Sequence, residues 1–92
     1  MTFRIVKVIE VEPRGGYRLR VAFSDGSSGE HDFSDLVAHT GPMVVPLRDP
    51  AFFARVFVEM GVPAWPNGFD IDAIKLHMDM EAAGELSRDA AE

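Results

Sequence analysis

The chain contains no cysteine. Disulfides, iron–sulfur clusters and thiolate-bound zinc are therefore outside its chemistry. It has no apolar run near the ~18–20 residues that a membrane-spanning helix needs. The start, Met1-Thr2-Phe3-Arg4, lacks the basic-then-apolar layout of a signal peptide, so a soluble, cytoplasmic domain is expected. No phosphate-cradling loop is present, because Gly15-Gly16 is followed by neither a helix pattern nor a lysine. The serines fall in turns, caps and the tail, and none forms a nucleophile elbow. No pair of glutamates stands out as acid and base. Positive charge is also scarce, with nine basic against fifteen acidic side chains and a net charge of −6.

That charge is unevenly spread. Residues 1–23 carry Arg4, Lys7, Arg14, Arg18 and Arg20 against Glu10 and Glu12, whereas the rest carries four basic and thirteen acidic groups. Most of the surface would repel a phosphate backbone, so nucleic acid is not an expected partner. No aromatic platform accompanies the basic cluster, so it reads as solvated arginines on a strand face. An acidic surface suits a basic protein partner.

The hydrophobic share is 47% and the charged share 26%, a balance that excludes intrinsic disorder. Ninety-two residues suffice for one domain with one modest core. Phe3 to Val11 reads as a strand. Phe3, Ile5, Lys7, Ile9 and Val11 share one face, and Arg4, Val6, Val8 and Glu10 the other. Both faces are mostly apolar, which predicts a central strand or one covered on each side. Pro13-Arg14-Gly15-Gly16 is a turn. Tyr17 to Phe23 alternates, with Tyr17, Leu19, Val21 and Phe23 inward and Arg18 and Arg20 outward. Asp25-Gly26 marks a second tight turn and nothing more. Gly29 to Phe33 reads as a short polar edge strand, completing an antiparallel meander.

Beyond the meander, Ser34 is the expected N-cap of one helical turn. Met43 to Leu47 reads as an irregular extended edge broken by Pro46. Asp49-Pro50 starts a short helix carrying Phe52, Phe53 and Val56. Arg55 to Met60 and Val62 to Trp65 pair as a hairpin. Pro66-Asn67-Gly68 turns the chain. Asp70 or Asp72 caps a final helix over about Asp72 to Ala83, with Ile71, Ile74, Met78 and Ala82 as its buried stripe. Residues 1–84 thus form a single α+β domain: a small antiparallel sheet, with a three-stranded meander and a later hairpin, short helices and one C-terminal helix. Residues 85–92 read as a frayed tail.

His31, Asp32, Asp35 and His39 resemble metal ligands, but their spacing matches neither paired histidines on one helix face nor a facial triad. Asp32 is instead expected to bond the backbone of the following turn. His77 has only Glu81 within helical reach. Asp70-Ile71-Asp72 offers too few oxygens for a calcium loop and suits helix capping. No catalytic, cofactor-binding or metal site is therefore assigned. Ile5, Ile9 and Val11 form an apolar face if Val6 and Val8 turn inward, and with Lys7, Arg18 and Arg20 they make a candidate partner surface.

Three stretches carry a resemblance. They are Leu19 to Gly26 with Asp32-Phe33, Pro46 to Phe53, and Trp65-Pro66-Asn67-Gly68-Phe69-Asp70-Ile71. In order and spacing they resemble the bacterial family called domain of unknown function 2442, over about residues 3 to 77. The resemblance implies a small α+β fold and no established catalytic residues. Asp25, Gly26, Asp32, Leu47, Phe52, Trp65, Pro66, Asn67, Gly68 and Asp70 match its motifs, with structural roles implied. It also implies gene neighbourhoods like those of toxin–antitoxin pairs. Some relatives carry a C-terminal helix-turn-helix, which this chain is expected to lack. The leading expectation is a non-catalytic module that binds a basic protein partner and needs no cofactor. A homodimeric regulatory or structural protein with weak nucleic-acid contact is the alternative. A metal-dependent hydrolase built on His31, Asp32 and His39 ranks last.

Overall fold

A computed structural model describes residues 5–88. The expectations for Phe3 and Arg4, and for the tail over 89–92, lie outside these residues. The fold is α+β. Strands β1 (Val8–Pro13), β2 (Arg18–Phe23) and β3 (Ser27–Asp32) form the antiparallel meander. Helical turn α1 (Ser34–Val37), a 3-10 turn over Val45–Arg48 and α2 (Pro50–Phe53) follow. Strands β4 (Phe57–Glu59) and β5 (Val62–Ala64) form a separate hairpin. Helix α3 (Ala73–Ala82) packs on the meander, and β6 (Ser87–Arg88) adds a fourth strand, in the order β1-β2-β3-β6.

The core forms where β2 alternates. Leu19, Val21 and Phe23 are almost fully buried and meet Val6 and Val8 from the first segment, Leu76 and Met80 from α3, and Phe53 and Trp65. Trp65 joins two layers, because its indole Nε1 donates to the Phe53 carbonyl at 2.9 Å while its ring packs on those of Phe53 and Phe69. A buried indole N–H without an acceptor would be costly, so the α2 backbone must stand where it does. Asp49 caps α2 by accepting from the Ala51 N–H at 3.0 Å, and Asp72 caps α3 through the Lys75 N–H at 3.2 Å. Both caps stand where local sequence puts them.

Several expectations are corrected. The first strand is not central, and among the described residues it leaves out Ile5 to Lys7, since β1 begins at Val8 and lies at the sheet edge. Its apolar early residues are explained by the β4–β5 hairpin, whose Gly61 carbonyl accepts from the Val8 N–H at 2.8 Å. A bulge between Val8 and Glu10 shifts the register, so Val11 pairs with Val21 and faces the core, away from the exposed Ile9. One extra residue in a strand moves everything after it to the opposite face. The third strand is not an edge where Ser27 and Ser28 pair with β6. The N-cap of α1 is Phe33 rather than Ser34, and the Asp32 carboxylate accepts from the Ser34 N–H at 2.8 Å. Met43 to Leu47 is helical turn, because Pro46 sits in the first positions of the 3-10 segment, where a missing N–H costs nothing.

The buried stripe of α3 is Ala73, Leu76 and Met80; of the expected stripe, Ile71 packs partly buried against the core just before the helix, whereas Ile74, Met78 and Ala82 are exposed. The difference is a rotation about the helix axis that turns His77 toward the sheet. Residues 85–88 are also not a frayed tail. Gly84, at φ +73°, ends α3 with the Gly84 N–H bonding the Glu81 carbonyl and the Glu85 N–H reaching back to Met80. This is a Schellman ending, which turns the chain back along β3. Among the described residues, no helix is long and apolar enough to cross a membrane.

Candidate functional site

Two clasps and one groove account for most of the polar side chains that carry chemistry. The first clasp is built on the β2–β3 turn. The Asp25 carboxylate accepts from the Ser27 N–H at 3.0 Å and the Ser27 hydroxyl at 2.5 Å. It also accepts from His77 Nε2 at 2.9 Å and Arg88 Nη2 at 3.2 Å, and the Arg88 guanidinium reaches the Asp25 carbonyl as well. Asp25 is thus far more than a turn residue, and the histidine finds its partner 52 residues away rather than at Glu81. The His77 ring meets Phe23 edge-on at 4.9 Å. Turn, helix and C-terminal strand are locked at one carboxylate, whose lone pairs are spent internally.

Burial alone would raise the Asp25 carboxyl, but the Ser27 hydroxyl, the Ser27 N–H and the His77 ring outweigh it and hold it at about 2. A folded value below the unfolded 3.8 stabilises the protein above pH 3.8, and that contribution is lost as pH falls from 3.8 toward 2. The span corresponds to about 2 kcal/mol. Urea unfolding at pH 5 and pH 2.5 should therefore show a steeper loss in the wild type than in Asp25→Asn, which has no carboxyl to titrate there. Equal slopes would show that the clasp contributes nothing.

The second clasp joins β3 to the returning C-terminal segment. His31 Nδ1 lies 2.7 Å from Glu85 Oε1, and the ring packs edge-on to Phe33 at 4.6 Å. Gly29 lets this segment approach, since a methyl there would lie 2.0 Å from the Glu85 carbonyl oxygen. Arg48, which lies within the Pro46 to Phe53 stretch but has no role expected from the sequence, is a third tie. Its Nε and Nη2 donate to the carbonyls of Val37 and His39, each at 2.9 Å, closing the end of α1.

The groove lies between α1 and α3. Its volume is about 430 Å³, and Phe33, Leu36, Ile71 and Leu76 form an apolar floor. Asp32, Asp35 and Asp79 stand around it with His31, His39 and Lys75. Lys75 is committed to Asp79 at 3.1 Å on its own helix. Asp32 is held below the usual carboxylate value, chiefly by the Ser34 hydroxyl and then the Ser34 N–H, with Arg18 and His31 assisting. The four residues that resembled a metal set, His31, Asp32, Asp35 and His39, thus share one groove. Among the described residues, however, no three His, Asp or Glu side chains are placed to hold a metal ion.

The six residues of the candidate partner surface do not form one face. Ile5, Lys7 and Ile9 are exposed near the start of β1, and Val11 packs against the core. Arg18 and Arg20 lie on the outer sheet face opposite Asp32, Glu30 and Glu12. Arg18 pairs with Glu30, and Arg20 donates to Ser28 at 3.1 Å. The Arg18 charge is answered by Glu30 on the adjacent strand, whereas the Arg20 contact is to a neutral hydroxyl.

The motif residues hold the fold. Leu47 is fully buried, Phe52 is half-buried beneath the Arg55 guanidinium, and Gly26 completes the turn that carries Asp25. Pro66 and Gly68 lie in the turn that closes when the Gly68 N–H bonds the Trp65 carbonyl. Asn67 accepts from the Phe69 N–H at 3.2 Å and donates to the Met43 carbonyl at 3.0 Å. Asp70 bridges Ala64.

The family described as protein of unknown function (DUF2442) has a model that matches residues 8–78. A crystal structure from Nitrosomonas europaea ATCC 19718, of a protein provisionally described as DNA-binding, is similar with a TM-score of 0.72 and 31% identity. The match covers 87% of this chain and 52% of that one, so this chain spans about half the neighbour's length. No curated protein matches significantly.

Proposed function

The chain belongs to the DUF2442 family, whose function is unknown, and from that premise we propose that it is a non-catalytic module that binds a basic protein partner. The observation that carries this reading is where the excess negative charge sits. On the sheet face, carboxylates and arginines answer one another across strands, whereas the groove between α1 and α3 keeps Asp32 and Asp35 exposed beside an apolar floor. Complementary potential of this kind steers association and selects partners of opposite sign.

The antitoxin-like version of the reading has a small basic protein, encoded nearby and met in the cytoplasm, as the partner. Its test is co-expression with the product of the adjacent gene. A stable complex that weakens with salt is expected, and a neighbour that neither binds nor is affected would remove the reading.

DNA binding is described for the Nitrosomonas europaea neighbour, about half of which lies beyond the match. In this chain Arg18 is paired with Glu30 and Arg20 lies across from Glu30 and Glu12, an arrangement that favours a protein partner over a phosphate backbone. Homodimerisation through β1 is the other alternative. The bulge at Ile9 and Pro13, which lacks an N–H, blunt that edge. Light scattering showing a monomer at micromolar concentration would exclude it.

A further inference from the structure

We infer that the groove between α1 and α3 is the docking site for a peptide segment of the partner that places an apolar side chain between lysine or arginine side chains. This inference rests on the protein-binding reading above and gives it a location and a ligand chemistry.

The floor supplies the first half of the specificity. Phe33 and Leu76 are buried core residues, so the base of the groove is rigid. Leu36 and Ile71 are only partly buried and leave apolar surface open between the two helices. An inserted aliphatic or aromatic side chain would remove that surface from water.

The rim supplies the second half. Asp32 and Asp35 are exposed on one side, and Asp79, half exposed, stands on the other. Lys75, the one lysine or arginine of the lining, answers Asp79 and stands against three aspartates, so the rim keeps a net negative charge with Asp35 exposed in it. An acidic segment would meet that net negative charge, whereas a basic one gains charge-assisted contacts with it. Asp32 is fixed in place by the Ser34 N–H and hydroxyl, at 2.8 and 2.6 Å, which lowers the entropy lost when it accepts a partner cation.

The full chain should be titrated with a short synthetic peptide of alternating lysine and leucine, and with its glutamate–leucine counterpart. Binding is followed by the methyl resonances of Leu36, Ile71 and Leu76. The lysine peptide should shift these methyls, and the glutamate peptide should bind at least about tenfold more weakly. Asp35→Lys with Asp79→Lys changes exposed residues and should keep the wild-type melting temperature while losing about tenfold in affinity. Glu10→Lys with Glu12→Lys, on the outer sheet face, should bind like the wild type. Three results would overturn the inference: no binding, shifts located elsewhere, or unchanged affinity in the groove variant. If the adjacent gene's product binds wild type and groove variant equally, the groove is wrong and the protein-binding reading stands. If the peptide behaves as expected and that product does not bind, the assigned partner is wrong and the groove stands.

Discussion

Trp65→Ala should lower stability by about 3–5 kcal/mol, the cost of emptying a large buried aromatic site. A domain of this size has a total stability of the order of 5–14 kcal/mol, so the variant would lose a large share of it. Each kcal/mol corresponds to roughly 4–8 °C in a domain of this length, and the melting temperature should fall by about 12–40 °C. The reason is the position of Trp65, which is 1% exposed and packs against both Phe53 and Phe69. Trp65→Phe separates the two parts of the effect. It keeps most of the apolar contact but leaves the Phe53 carbonyl without the indole N–H, a loss of about 1–3 kcal/mol. Thermal melts followed by circular dichroism would check both variants. A Trp65→Ala melt within a few degrees of wild type would show that the two layers do not depend on this residue.

Gly29→Ala should release the C-terminal segment from the sheet. The added methyl would lie 2.0 Å from the Glu85 carbonyl oxygen and 2.9 Å from its carbon, and these backbone atoms cannot rotate away as a flexible side chain would. Either β3 bends or residues 85–88 move out. The second course gives up the His31–Glu85 pair, the Ser27–Arg88 and Ser28–Ser87 strand pairing and the Arg88 contact to Asp25. Overpacking of this kind costs about 1–3 kcal/mol. Amide exchange at Leu86 to Arg88 should accelerate far more than exchange in β2. Gly41→Ala is the control, because no atom lies within 4 Å of the new methyl. Unchanged protection over residues 86–88 in Gly29→Ala would show that the close approach is not required.

The clasps bear on the groove as well. His31 and Asp32 sit at the end of β3 and line the groove, while Lys75 and Asp79 approach it from α3. The relative placement of β3 and α3 is held by Asp25–His77 on one flank and His31–Glu85 on the other. A variant that loosens the Asp25–His77 clasp should therefore widen the groove without touching its lining, whereas His31 belongs both to its clasp and to the groove wall.

Local signals in the sequence determined much of this protein. The alternation of Leu19, Val21 and Phe23 specified the central strand and its inward face. Asp49-Pro50 and Asp72 specified two helix starts, and the glycine- and proline-bearing turns separated the strands of the meander and the hairpin. These features depend on residues a few positions apart, where capping, turn chemistry and strand period act. His31, Asp32, Asp35 and His39 stand out in the sequence as a group resembling metal ligands, but separate surface roles are the expectation there, and only the structure brings them to the wall of one groove.

Tertiary structure alone decided the rest. The rotation of α3 follows from a core that takes Leu76 and Met80 and from a carboxylate that captures His77, and neither is visible in the period of the helix itself. The inward turn of Val11 follows from one bulged residue whose position depends on the hairpin at Gly61. The return of residues 85–88 depends on contacts that span 54 and 63 positions. Pairings at such separations are selected by the geometry of the assembled core, and a linear pattern holds no record of which surfaces that core will bring together.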